Sequence, residues 1–317
     1  MNILINDGLS ASAVKLLEDQ DHKLYPIKVA QSQLVNYINK HHIEAIIIGN
    51  DTKINSQIID ACTDLKIIAK TGSELNNIDF VYAKTRGLKV FNSPDQTSES
   101  VAELVIAHAL SCMRHLKNTN RDMPLEGDQR FAEIQKAAAN GQELKGKTIG
   151  IIGFEKLGQT LAQKAIALGM KILAYDPKVN EAQVNLEFFD QQKLSFKIET
   201  TDLETLLTES DIISLHTPRL KKPILSAKEF QKMKPTAGVI NTSFGGVLDE
   251  VELVNALHNN TIAFAALDVF ENEPHPEIQI LMQDKISLSP RIAASTLEAQ
   301  ERIGLHIAQQ IINFDKN

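Results

Sequence analysis

Cysteine is scarce in this chain: among 317 residues only Cys62 and Cys112 carry a thiol. They stand far apart and outside any C-x-x-C, which excludes a disulfide framework in practice and suits a reducing, cytoplasmic compartment. Long apolar runs are missing as well. No stretch approaches the roughly 18 residues that a membrane span needs. The opening MNILIN starts directly as a strand, without the charged n-region and apolar h-region of a signal peptide. A basic stripe is also lacking. The 33 Lys and Arg are interspersed with 40 Asp and Glu, for a formal net charge of −7, so nothing points to nucleic acid. No cluster has metal-ligand spacing. Neither an internal repeat nor a low-complexity tract is found.

What the chain does have is a βα rhythm, and its length suits two α/β domains. Short apolar strands are expected at residues 3–6, 23–27, 45–48, 66–69 and 88–91. Helical spacing at 10–18, 31–39, 56–62 and 78–85 separates them. Such alternation implies a parallel sheet covered on both faces. A long helix is expected over 98–118, with Ala102, Val105, Ile106, Ala109 and Met113 on one apolar face. Residues 123–142 are polar and Ala-rich: either a helical arm packing on a partner subunit, or a mobile connection. A second series follows, with strands at 148–152, 171–175, 211–215, 238–241 and 263–267. Its helices are expected at 158–168, 203–207, 228–233 and 251–259. An amphipathic helix over 297–312 could return to the first domain and close it.

The segment GIIGFEKLG (150–158) falls between a strand and a helix, where a G-x-G-x-x-G fingerprint belongs. Gly153 and Gly158 occupy the first and third positions. Asp176 ends the next strand, where an acid can take the ribose hydroxyls of NAD. The middle position is Glu155, followed by Lys156 and Leu157. A middle glycine lets the backbone approach the pyrophosphate, whereas a glutamate adds bulk and charge beside a dianion and works against the positive helix end. Lys156 could partly neutralise it. The competing reading is a Rossmann-type crossover that binds nothing.

Further landmarks run in order along nearly the whole chain. They are VFNSP (90–94), SVAEL (100–104), LKGKTIG (144–150), YDP (175–177), LHTP (215–218), MKP (233–235) and NTSFGG (241–246). ALDVF (266–270), Glu273-Pro274, SPRIAAST (289–296) and EAQE (298–301) complete the set. Together they resemble the NAD-dependent D-2-hydroxyacid dehydrogenases, above all the short-form 3-phosphoglycerate dehydrogenase branch. The resemblance implies an α/β fold of two Rossmann-like, doubly wound parallel-sheet domains. Residues 1–97 with 291–317 would form a discontinuous, flavodoxin-like substrate-binding domain closed by the C-terminal helix. Residues 98–290 would bind the dinucleotide, with Thr217, Thr242 and Asp268 beside the cofactor. It also implies NAD as cofactor, a small 2-hydroxy or 2-keto acid as substrate and a dimer through the nucleotide domain.

In the mechanism that the family implies, a histidine moves the hydroxyl proton, a glutamate positions that histidine, and an arginine binds the substrate carboxylate. Carried over, the glutamate is Glu273. The arginine position is Phe244, which has neither charge nor donor. The histidine position is Arg291, which cannot give up a proton near neutral pH. Glu273 is therefore expected to pair with Arg291 instead of orienting an imidazole. The carboxylate loop, KTGSELNNID (70–79), holds Lys70, Gly72, Ser73 and Glu74, with Glu74 in place of an expected glycine. Gly49 stands where the phosphoglycerate branch usually has an arginine. His216 and His275 are candidate replacement bases, but read more simply as a packed loop residue and a solvated turn residue. His108 and His115 read as structural, and Lys70 as a surface lysine that could attract an anion.

Three functional readings follow. The chain is a homologue with lost or strongly impaired family activity, because proton shuttle, carboxylate anchor and pyrophosphate glycine are all substituted. Alternatively it is an active NAD-dependent oxidoreductase with rearranged catalytic residues. Or it is a ligand sensor, or a structural partner, pairing with itself or with an intact paralogue.

Overall fold

The computed structural model describes residues 1–72 and 74–316. The chain forms two compact units, Met1–Thr97 with Ala294–Asn317, and Ser98–Ala293. In chain order the first holds β1 (Asn2–Ile5), α1 (Ala11–Glu18), β2 (Lys23–Tyr25), α2 (Leu34–Lys40), β3 (Ala45–Ile48), α3 (Ser56–Ala61), β4 (Ile67–Lys70), α4 (Phe80–Thr85) and β5 (Lys89–Phe91). The second holds α5 (Ser98–Met113), α6 (Leu116–Ala137), β6 (Thr148–Ile152), α7 (Lys156–Ala167), β7 (Lys171–Tyr175), β8 (Glu181–Glu187), β9 (Lys193–Glu199), α8 (Leu203–Glu209), β10 (Ile212–Leu215), α9 (Ala227–Phe230), β11 (Gly238–Asn241), α10 (Glu250–His258), β12 (Phe264–Leu267), α11 (Ile278–Leu281) and β13 (Ile286–Leu288). Helix α12 (Leu297–Asp315) belongs to the first unit.

In the first unit the parallel sheet runs β2-β1-β3-β4-β5, the flavodoxin-like order. Its strands are apolar on both faces, and successive side chains alternate between two cores. Leu4, Ile46, Ile48 and Ile68 face α2 and α3, packing with Leu34, Ile38 and Ile58. Ile3, Ile5, Ala45, Ile47, Ile67 and Ala69 face the other way, against Ala13 and Leu17 of α1 and Ile307, Ala308, Ile311 and Ile312 of α12. Each buried Ile or Leu among these stabilises by roughly 1.5–3 kcal/mol, so α12 is a structural part of this unit. The expected closure by the C-terminal helix is what forms.

In the second unit the six-stranded parallel sheet runs β7-β6-β10-β11-β12-β13. The same alternation feeds two cores, Ile152, Ile213, Leu215, Val239 and Leu267 on one face and Ile149, Ile151, Ile212, Ile240 and Ala266 on the other. Ala102, Val105, Ala109 and Met113 of α5 join the second core with Leu161, Ala162 and Ala165 of α7. The expected α/β class, two doubly wound parallel sheets, therefore holds for both units.

Several local expectations change. The helix expected to reach residue 118 stops at Met113, because His115 takes a left-handed φ of +56° and α6 starts anew. The polar segment after it is helical to Ala137, with a kink at Arg130, whose φ of −120° and ψ of 24° leave the helical region. Strands β8 and β9 are new: an antiparallel hairpin pairing Ala182, Val184 and Leu186 with Ile198, Phe196 and Leu194. The division of the chain falls after Ala293 rather than after residue 290. The buried Asp268 carboxylate accepts from the backbone N–H of Ile292 and Ala293 at 2.9 Å each and ties that turn to the second unit.

Candidate functional site

Strand order reverses between β6 and β10, and the glycine loop leaves β6 beside the end of β10. Gly153 has φ +96°, and a Cβ there would lie 2.5 Å from the His216 carbonyl oxygen. A Cβ on Gly158 would lie 2.2 Å from the Gly153 carbonyl oxygen. Both glycines are thus demanded by close backbone approach. Helix α7 starts at Lys156, two residues earlier than the spacing predicts, which makes Glu155 its N-cap residue. The exposed Glu155 side chain makes no cap hydrogen bond, leaving the first-turn N–H groups of α7 without that partner. Leu157 is half-buried and Lys156 exposed. Asp176 lies against the loop: Phe154 N–H donates to its Oδ2 at 2.7 Å, and Lys178 N–H to Oδ1 at 2.8 Å. Thr217 and Thr242 follow the ends of β10 and β11, and their hydroxyls are buried with no hydrogen-bond partner among the described residues. Two glycine-tight turns, an open helix start, an acid at the end of β7 and two orphaned hydroxyls are what a bound dinucleotide would use. The residues present fit NAD, with Glu155 the one charge placed against its pyrophosphate.

At the same sheet end a cavity of about 280 Å³ is lined by Arg219, Ser243, Phe244, Gly245, Val269, Phe270, Glu271, Glu273 and Arg291. Its walls are held by backbone geometry. Buried Asn241 accepts from Ser243 N–H at 3.0 Å and donates to the Phe244 carbonyl at 2.9 Å, fixing the loop that carries Phe244. A Cβ on Gly245 would lie 1.9 Å from the Phe270 carbonyl oxygen, so this loop presses directly on the segment bearing Glu273. Glu273 Oε1 accepts from Phe270 N–H at 3.0 Å. Its Oε2 accepts from Arg291 Nη1. The expected ion pair is therefore formed, and Arg291 holds it from a left-handed backbone of φ +56°. Asp268, expected beside a cofactor, is 1 % exposed. It accepts from Ser289 Oγ at 2.5 Å and from the 292 and 293 amides, so its carboxylate serves the turn that presents Arg291.

Two charged lining residues, Arg219 and Glu271, are not among the candidates that the sequence singles out. Arg219 sits just past the LHTP landmark, and its guanidinium carbon lies 5.7 Å from the centroid of the Phe244 ring. An arginine adjoining a strand-end motif, in a chain lacking one at position 244, was the available signal.

The histidines behave as the simpler reading has it. His216 Nε2 bonds Ser214 Oγ at 2.8 Å, and burial pushes its imidazole down to about 3, which keeps it neutral at physiological pH. His275 is exposed. His108 is buried between Ser287 Oγ and Ser289 Oγ, 2.9 Å from each. Burial pushes the Cys62 and Cys112 thiols up to about 11 and about 12, so both are inert.

The loop expected to hold a substrate carboxylate lies in the first unit. Lys70 is a correction: it is fully buried, not a surface lysine. Its ammonium bonds the Gly49 carbonyl and, at 2.6 Å, Asn50 Oδ1, because a charge buried at the end of β4 must find oxygen partners. Gly72 N–H donates to the Lys70 carbonyl at 3.0 Å and to Ser93 Oγ at 3.2 Å. Glu74 accepts from Asn76 at 3.0 Å. Ser73 lies outside the described residues.

The sheet order and the glycine-tight loop define an α/β protein of the dinucleotide-binding class. Residues 106–293 match the family described as D-isomer specific 2-hydroxyacid dehydrogenase, NAD binding domain, and the chain belongs to that family. It is 36 % identical over 313 residues to a hydroxypyruvate reductase of Thermotoga maritima, covering 97 % of this chain and 96 % of that one. It is 35 % identical over 321 residues to a D-3-phosphoglycerate dehydrogenase of Archaeoglobus fulgidus, covering all of this chain but 58 % of that one. It thus spans little more than half the length of the phosphoglycerate relative. In fold it is similar to the crystal structure of apo D-mandelate dehydrogenase from Rhodotorula graminis, with a TM-score of 0.84, 21 % identity and coverage of 99 % and 94 %. No helix among the described residues is long and apolar enough to cross a membrane.

Proposed function

We propose that this chain is a D-2-hydroxyacid dehydrogenase homologue in which the family's turnover is lost or strongly impaired. The observation that carries the reading is the Glu273–Arg291 pair. The carboxylate that would orient an imidazole is matched to a guanidinium, and no proton can be shuttled by a group that stays charged above pH 12. Phe244 removes a charged donor from the same cavity, and loss of one such stabilising group typically costs on the order of 100- to 1000-fold in rate. NAD would be held by the 153–158 loop, Asp176, Thr217 and Thr242, and supplies hydride chemistry when bound. The substrates to assay are those of the relatives: hydroxypyruvate with NADH, and D-3-phosphoglycerate with NAD. Wild type is expected to stay near background, while the double variant Phe244→Arg/Arg291→His gains at least about 100-fold. A wild-type kcat of about 1 per second or more, ordinary for an enzyme, would refute the proposal.

That second outcome is the alternative reading, an active oxidoreductase with rearranged residues, and the guanidinium of Arg219 above Phe244 favours it. For the partner, a homodimer or a pairing with an intact paralogue is proposed through α6, on which Leu125 and Phe131 are 76 % and 56 % exposed. Sedimentation of wild type and Leu125→Glu tests the homodimer: a monomeric wild type would remove it. Two free thiols support a cytoplasmic setting.

A further inference from the structure

We infer that the cavity under Arg219 is a binding site for a small carboxylate, with Arg219 as the cation that recognises it. This deepens the proposed function by assigning a ligand group to the same cavity, and it holds whether or not turnover survives.

Four charged side chains line the cavity. Arg291 is matched by Glu273. Glu271 accepts from the backbone N–H of Glu250 at 3.2 Å. Arg219 has no carboxylate within ion-pair distance among the described residues, and it is the cation left to meet an anion from outside. Its position is prepared. Pro218 restricts the backbone before it, and Leu220 behind it packs into the core of the unit. The guanidinium then rests over the Phe244 ring, 5.7 Å from its centroid. A guanidinium drawn to an aromatic face by cation–π attraction keeps its fork of donors unconsumed, so those donors stay available to a carboxylate.

The cavity's size restricts the ligand. About 280 Å³ lies at the small end of ligand pockets and suits an acid of a few carbons. Ser243, half-buried beside Phe244, places a hydroxyl on the same wall. Its Oγ donates to Asn241 Oδ1 at 2.9 Å, which leaves its lone pairs to accept from a ligand hydroxyl. A short 2-hydroxy acid matches this combination of one carboxylate and an adjacent donor. Phe244 is then not merely a lost arginine. It is the platform on which an arginine from the neighbouring strand end is laid.

The test is calorimetric titration of D-glycerate into the full chain, in wild type, Arg219→Ala, Arg219→Lys and Phe244→Ala. NADH titration, followed by nicotinamide fluorescence, is run on each. Saturable D-glycerate binding by wild type is expected, weakened at least about tenfold in Arg219→Ala, as loss of a charge-assisted hydrogen bond predicts. Arg219→Lys should recover part of the loss. Phe244→Ala should weaken binding less than Arg219→Ala, with the NADH affinity of all variants unchanged. Equal D-glycerate affinity in wild type and Arg219→Ala overturns the inference, as does absence of wild-type binding. The turnover assay is independent: a wild-type kcat of about 1 per second or more with an Arg219-dependent affinity would overturn the proposed loss of activity while leaving this site standing.

Discussion

Glu250 should make the second unit less stable as pH rises from the acidic range to neutrality. It opens α10 and is 5 % exposed. Its Oε1 accepts from Glu271 N–H at 2.7 Å, while Glu271 returns the bond by accepting from Glu250 N–H. The second carboxylate oxygen of Glu250 finds no partner among the described residues. Burial pushes this carboxyl up to about 7, and the charges of Glu271, Glu277 and Glu273 add to the rise against the opposing Glu271 N–H bond. The folded state therefore holds the proton more tightly than the unfolded chain does, where an ordinary glutamate releases it near 4.5. Stability falls as pH climbs from about 4.5 to about 7, and the full cost persists above that. At 1.36 kcal/mol for each tenfold change in proton activity, the total is about 3 kcal/mol. Glu250→Gln keeps an oxygen for Glu271 N–H and removes the buried charge. Urea unfolding of the full chain at pH 5, 6, 7 and 8 reads the difference, and amide exchange over residues 250–258 locates it. The variant should match wild type near pH 5 and exceed it by up to about 3 kcal/mol at pH 8. Parallel pH profiles for the two proteins would refute the reasoning.

Two other substitutions follow from the same geometry. Glu155→Gly removes a charge at the start of α7 and should tighten NADH binding about two- to fivefold in a fluorescence titration, the size of a helix-terminus charge effect; unchanged affinity would show that the side chain never meets the pyrophosphate. Gly150→Ala would drive a methyl to 2.3 Å from Ser210 Oγ and 2.7 Å from Leu206 Cδ2. Thermal unfolding should register a loss of about 1–3 kcal/mol, and a wild-type Tm would contradict it.

Much of this molecule is readable from residue order alone, because its strands are short apolar runs and its landmarks fall at their ends. Gly153, Gly158 and Asp176 land where the loop pattern puts them, and the Glu273–Arg291 pair follows from two positions 18 residues apart. Other features escaped for identifiable reasons. The β8–β9 hairpin does alternate, EAQVNLE against KLSFKIE, but its strands lie outside the parallel series that set the expectation. Lys70 reads as surface by residue type, and only the carbonyl of Gly49 and the side chain of Asn50 make its burial tolerable. Arg219 gives only the weak signal of an arginine beside a strand-end motif, because its significance lies in a ring 25 residues downstream, a proximity created by two neighbouring parallel strands.

The split composition of the first unit bears on how the chain comes to be folded. Residues 98–293 emerge from the ribosome between its two parts. Until α12 arrives, Ile3, Ile5, Ile47 and Ile67 lack the cover of Ile307, Ala308, Ile311 and Ile312. The nascent sheet thus waits through the synthesis of an entire second unit with one apolar face incompletely covered, a condition that exposes it to aggregation and to chaperone capture. The unit that starts first is finished last.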